Sequence, residues 1–188
     1  ASFVDSFSVA SQEGTPRGMA FSADGTKMFV VGDTGDDVNE YALTTAFDVS
    51  TSSFTDSFYI NAQDPLPNDV AFNTDGTKMF VLGKSSDTVY AYTLTTGFDV
   101  STASYSSVSF SVTAQDTQPA GMAFNTDGTK MFIVGYAGQD INEYALTTGF
   151  DISTASFTDS FSVASQETEP YGVAFNSNGT KMFVVGNN

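Results

Sequence analysis

The chain has no cysteine, no histidine and no tryptophan, and only six basic residues among 188. Each gap closes off a branch of chemistry. Without cysteine or histidine there is no disulfide, no thiolate nucleophile, no Cys/His zinc site and no Ser-His-Asp triad. Six Lys and Arg against 22 Asp and Glu, a net charge of −16, cannot supply the basic stripe that displaces counterions from nucleic acid. An anionic membrane surface is disfavoured for the same reason. No apolar run approaches the roughly 18 residues of a spanning helix, and no charged-then-apolar leader opens the chain. Neither a nucleic-acid partner nor membrane insertion is therefore expected. The lack of cysteine leaves the redox compartment open, while an acidic composition rich in Ser, Thr and Asp suits an extracellular, virion or cell-surface setting.

What the chain does have is phenylalanine, 18 of them with 8 tyrosines, and a sentence it repeats. Asp24-Gly25-Thr26-Lys27-Met28-Phe29 returns at Asp75–Phe80 and Asp127–Phe132, and with Asn for Asp at Asn178–Phe183; the glycines are 51, 52 and 51 residues apart. Periods of this length mark solenoids or propellers. Other positions keep the same step: Gln12, Gln63, Gln115 and Gln166; Pro16, Pro67, Pro119 and Pro170; Tyr41, Tyr92 and Tyr144; Phe47, Phe98 and Phe150.

Each unit reads as four strands. The first runs from about Gly18 to Ala23 and turns at Asp24-Gly25, a strong hairpin signal. The second, Lys27 to Gly32, is a continuous apolar run, as in a strand covered on both faces. A loop over Asp33–Asp37 leads to the third, Val38 to Leu43. After the connector Thr44–Ser53 comes the fourth, Phe54 to Ile60, half polar as an edge strand should be. The single extra residue of the second unit falls within Ser106–Ser109, where an outer strand absorbs a bulge at little cost. A parallel β-helix is the architectural rival, but its coils are shorter and place no Asp-Gly hairpin between neighbouring strands.

Four antiparallel strands per unit make a β-propeller blade. The expectation is an all-β, single-domain propeller over residues 1–188, with a closing strand at 1–10, blades at 11–61, 62–113 and 114–164, and a partial fourth blade at 165–188. The last unit lacks a third strand and its connector, while Ser2–Val9 reads as a fourth strand with no blade before it. Either Ser2–Val9 joins the terminal pair and closes a four-bladed ring with one incomplete blade, or copies of the chain associate through the edges at Ser2–Val9 and Lys181–Gly186.

The units resemble the bacterial and phage β-propeller repeats of the YVTN and NHL type. The likeness rests on Pro119–Phe124 (Pro-x-Gly, an apolar residue, Ala-Phe), Asn125–Lys130 (Asn-x-Asp-Gly-Thr-Lys) and Met131–Gly135, and it covers essentially the whole chain. WD-repeat signatures and the double glycine of kelch units are absent. The resemblance implies a propeller that serves as a binding scaffold or, as in lactonases, an enzyme; no catalytic motif of such enzymes is matched, and no catalytic residue is assigned.

Positions that differ between otherwise matching units are the candidates for function. After the repeated prolines stand Arg17, Asn68, Ala120 and Tyr171. In the loop after the second strand stand Asp33–Asp37, Lys84–Asp87 and Tyr136–Asp140. In an up-and-down blade both sets lie at one end, around the mouth of the central channel, where function on rigidly held loops is usual. Arg17 and Lys84 are the only cations there, since Lys27, Lys78, Lys130 and Lys181 sit at the opposite hairpins. With Asn68, Tyr136 and Tyr171 they are candidate contacts to a glycan or a protein. Glu13, Asp64, Asp116 and Glu167 recur after the repeated Gln; as a four-fold set they offer hard oxygen ligands for calcium, or each serves its own turn. Asp24, Asp75, Asp127 and Asn178 open the hairpin turns. Three functions remain in play: a non-enzymatic binding or display scaffold, a metal-dependent lactonase-like hydrolase, and a repeat fragment without its own ligand that assembles as an oligomer.

Overall fold

The computed structural model describes residues 2–187. Three four-stranded antiparallel sheets follow one another in sequence order. The first holds β1 (Pro16–Phe21), β2 (Lys27–Gly32), β3 (Asp37–Leu43) and β4 (Ser52–Tyr59). The second holds β5 (Pro67–Phe72), β6 (Lys78–Gly83), β7 (Thr88–Leu94) and β8 (Ala103–Ser111). The third holds β9 (Pro119–Phe124), β10 (Lys130–Gly135), β11 (Asp140–Leu146) and β12 (Ala155–Ser162). A two-stranded sheet of β13 (Pro170–Phe175) and β14 (Met182–Gly186) comes last. The innermost strands β1, β5, β9 and β13 pack each on the next. The chain is an all-β protein of β-propeller type, with three complete blades and the inner half of a fourth.

The blades stack through a repeated apolar exchange. Phe29 and Val31 of β2 point forward into a core with Met79, Val81, Tyr92 and Leu94, which point backward from the second blade. Phe80 and Leu82 meet Met131, Ile133, Tyr144 and Leu146 in the same way. The second strand of a blade is thus covered on both faces, which is why it reads as an unbroken apolar run. Each fully buried Phe of this kind contributes roughly 1.5–3 kcal/mol.

Strand boundaries follow the sequence reading to within two residues; β4, expected over Phe54 to Ile60, runs Ser52–Tyr59, and two further departures are informative. The first strand of each blade begins at the proline, two residues early, with a register shift between Pro16 and Gly18. The connector contains a single turn of 3-10 helix at Val49–Thr51, Val100–Thr102 and Ile152–Thr154, capped by Asp48, Asp99 and Asp151, whose carboxylates accept from the backbone N–H two residues on. The extra residue of the second unit sits where expected: between Ala91 and Tyr92 the partner strand jumps from Val108 to Tyr105, and Ser107 takes a φ of 62°.

The ring closure expected from Ser2–Val9 is not formed. These residues are in no sheet, and among the described residues β14 pairs only with β13. Yet Phe7 stands edge-on to Tyr41, with ring centroids 5.6 Å apart, as Phe58 stands to Tyr92 and Phe110 to Tyr144. Phe7 and Val9 cover Met28, Val30, Tyr41 and Leu43. The segment takes the packing position of a fourth strand without its ladder, because a fourth strand hydrogen-bonds to a third strand and none of the described residues supplies one here. On β14, Phe183 and Val185 are 57% and 65% exposed, whereas their counterparts Phe29 and Val31 are fully buried.

Candidate binding site at the channel mouth

At one end of each complete blade the loop entering the first strand is tied to the loop leaving the second. The tie is the repeated acid. Glu13 accepts from the N–H groups of Thr15 (2.7 Å), Thr34 (3.1 Å) and Gly35 (3.1 Å). Asp64 accepts from Leu66 N and Ser86 N, both at 2.9 Å, and from the Ser86 hydroxyl. Asp116 accepts from Gln118 N and Gly138 N, and Glu167 from Glu169 N. Glu13, Asp64 and Asp116 are buried. A buried carboxylate that receives several N–H donors fixes two loops at once. The structure does not gather these four acids: among the described residues, no three acidic side chains converge on a common point. They hold the mouth loops in shape.

On that framework stand the variable residues. Arg17, from β1, donates from Nε to Asp33 at 2.9 Å and reaches the same carboxylate with Nη2. Tyr136, in the loop after β10, and Tyr171, on β13, meet edge-to-face with centroids 4.7 Å apart. The guanidinium is held firmly charged by its hydrogen bonds to Asp33 and by the charge of that carboxylate, against the cost of partial burial. Arg17 and Tyr171 line one cleft and Tyr136 stands against Tyr171, so residues of the first, third and fourth blades meet in one region of the mouth. Burial, and then contact with Tyr171, pushes the Tyr136 phenol up.

Beside them the inner strands bound an open cleft of about 460 Å³, with Arg17, Met19, Asn68, Asp69 and Tyr171 in its wall and the exposed Phe183 and Val185 of β14 at its far side. Asn68 is buried and donates from Nδ2 to the Pro119 carbonyl at 2.7 Å, so its amide ties the second blade to the third. Lys84 is exposed in the loop after β6 and is not part of this wall. Of the five candidates, Arg17, Tyr136 and Tyr171 come together, Asn68 is engaged between blades, and Lys84 stands apart.

Asp69 is the residue the sequence reading passed over. Where it stands the other units have Gly18, Gly121 and Gly172. Glycine suits this position because neighbouring inner strands nearly touch: a Cβ on Gly18 would lie 2.5 Å from the Asp69 Cα, and one on Gly121 2.6 Å from the Tyr171 carbonyl. Asp69 places a carboxylate in that gap, accepting from Met122 N at 2.8 Å and Val70 N at 2.9 Å. Burial outweighs these two bonds and pushes its pKa up to about 7. The signal was present as the one acid at a position that is otherwise glycine.

No family model matches the sequence, and no curated protein matches it either. Solved structures do. A protein from Lactobacillus plantarum is 17% identical with a TM-score of 0.65, matching 92% of this chain and 48% of its own. The periplasmic gluconolactonase PpgL of Pseudomonas aeruginosa is 16% identical with a TM-score of 0.59, over 91% of this chain and 47% of its own. The β-propeller domain of Cps50 (Swd1) from Myceliophteria thermophila is 11% identical with a TM-score of 0.58, over 91% and 50%. At these identities the likeness is one of fold, and the chain spans about half the length of the structures it matches.

Proposed function

We propose that this protein is a non-enzymatic propeller scaffold that binds a carbohydrate at its channel mouth. The observation that carries the reading is Tyr136 set edge-to-face on Tyr171, which shares the wall of the inner-strand cleft with Arg17. Aromatic faces beside a few fixed polar groups in a concave site suit a polyhydroxylated ring, which stacks on one and hydrogen-bonds to the other. The mouth loops are locked from below by Glu13, Asp64 and Asp116, so little ordering is required on binding. The acidic, cysteine-free composition suits an extracellular setting for such a scaffold. The test is a saturation-transfer NMR screen of hexoses, uronic acids and sugar lactones. Binding that is lost in Tyr171→Ala and weakened in Tyr136→Ala supports the reading; a ligand bound equally by both variants removes it.

A second reading, a lactonase-like hydrolase, is favoured by one feature. Asp69 has a pKa near neutrality and stands in the cavity wall, which suits a general acid–base group, and a gluconolactonase is among the similar folds. Acid release from gluconolactone that disappears in Asp69→Asn would favour the enzyme. Binding without turnover would favour the scaffold.

A further inference from the structure

At the end of the blades opposite the mouth, each complete boundary is closed by a plug. The Phe98 ring lies 6.2 Å from Phe29 of the preceding blade and 5.4 Å from Phe72 of its own. Phe150 stands in the same way at 6.4 Å from Phe80 and 5.5 Å from Phe124. Each ring covers a hairpin glycine: a Cβ on Gly76 or Gly128 would fall 2.3 or 2.2 Å from it. Each plug is clasped by the lysine of the preceding blade, Lys27 Nζ donating to the Phe98 carbonyl at 2.6 Å and Lys78 Nζ to that of Phe150 at 2.8 Å. Glu40, paired with Lys27, also accepts from Val100 N at 2.9 Å.

The third boundary has the same socket. Phe132 and Phe175 are 4.4 Å apart, against 4.3 Å for Phe29–Phe72 and 4.7 Å for Phe80–Phe124. Lys130 and Glu143 are paired at 2.8 Å on its rim, as Lys27 and Glu40 are on the first. A groove of about 580 Å³ runs between them, and no described atom comes within 4 Å of where a Gly179 Cβ would lie. Beside it runs β14, whose outer edge pairs with no strand among the described residues.

We propose that this groove and the β14 edge form a receptor for an extended segment of third-strand-and-connector type, Tyr-Ala-Leu-Thr-Thr-Gly-Phe-Asp-Ile/Val-Ser. The strand part adds to β14 by backbone pairing, the Phe enters between Phe132 and Phe175 over Gly179, and Lys130 takes its carbonyl. The occupant is identified by the two boundaries where this same interface is already filled by residues of this chain. The site lies at the opposite end from the channel mouth and stands or falls independently of it.

The probe is a synthetic peptide of residues 140–154 titrated into the full 188-residue chain labelled with nitrogen-15. Saturable shifts at the amides of Gly179, Phe183 and Val185, with a rise in thermal midpoint, are expected. A peptide carrying Phe150→Ala should bind at least ten-fold more weakly, and the Lys130→Ala chain several-fold more weakly to the native peptide. Lys130 is half exposed, so that variant folds. Absence of shifts at millimolar peptide, equal binding of the Phe150→Ala peptide, or a self-associated form that the peptide fails to dissociate would each overturn the proposal.

Discussion

The ring of Phe47 lies on Gly25. A Cβ built on that glycine would fall 2.4 Å from the ring, and Phe47 N donates to the Gly25 carbonyl at 2.9 Å. Both residues have positive φ, 71° for the glycine and 60° for the phenylalanine. The pair recurs as Phe98 on Gly76 and Phe150 on Gly128. The glycine of the repeated hairpin thus answers two demands, a left-handed turn and room for an aromatic ring. The phenylalanine accepts a conformation rare for its type because its ring and its N–H are both held.

Gly76→Ala and Gly179→Ala separate these demands. Both residues have φ near 70°, so each substitution carries the left-handed penalty of about 1–2 kcal/mol. Only Gly76 has a ring above it, and displacing Phe98 adds roughly 1–3 kcal/mol of overpacking. Chemical denaturation should show Gly76→Ala as the more destabilised of the two. Equal losses would mean that the ring moves aside freely.

Glu40 is buried, bridging Lys27 of its own blade and Val100 N of the next. Glu40→Ala leaves that N–H and the ammonium without their acceptor, at a cost of about 1–3 kcal/mol. Hydrogen exchange reads this locally: protection of Val100 should fall far more than that of Val134. A uniform fall across the chain would show that the bridge is not local to the first boundary.

Asp69 makes stability depend on pH in an unusual direction for a carboxylate. Its folded pKa is raised to about 7 from an unfolded value near 3.9, so between these values the folded state holds more protons than the unfolded one. Its contribution is fully present below pH 4 and is lost as pH rises through 7. The penalty at higher pH is on the order of a few kcal/mol for a shift of this size. Asp69→Asn should remove most of the slope between pH 5 and 8, measured as midpoint denaturant concentration. An unchanged slope would place the titration elsewhere. Asp24 acts in the opposite sense at the acid end: the Ser22 hydroxyl, with Thr26 N–H and hydroxyl, lowers its pKa to about 2, so its contribution is complete above about pH 4 and is lost as pH falls through 2.

The strands and hairpins were legible because the repeat aligns them and because Asp-Gly, with apolar residues on both sides, admits few conformations. Other features depend on partners distant in sequence. Nothing in the local sequence says that Phe47 adopts positive φ, since only the glycine beneath it and its bond to Gly25 make that conformation hold. The 3-10 turn was readable in principle from the recurring Asp-Val/Ile-Ser-Thr, whose Asp caps the N–H two residues on. Ser2–Val9 carries the letters of a strand, but a ladder needs a neighbour. At the mouth, the internal comparison found Arg17, Tyr136 and Tyr171. Asp69 lies one residue further from the proline, at a position that is glycine in the other three units, and its role comes from strands β1 and β9 on either side of it.

The clasp of Lys27 on the Phe98 carbonyl and Lys78 on that of Phe150 has a direction, since the lysine always precedes the plug it holds. During synthesis the earlier blade is out of the ribosome first, so the connectors of the second and third blades emerge to find their receiving surfaces already built. The clasps thus favour assembly in chain order, with a finished blade offering the template on which the next one docks.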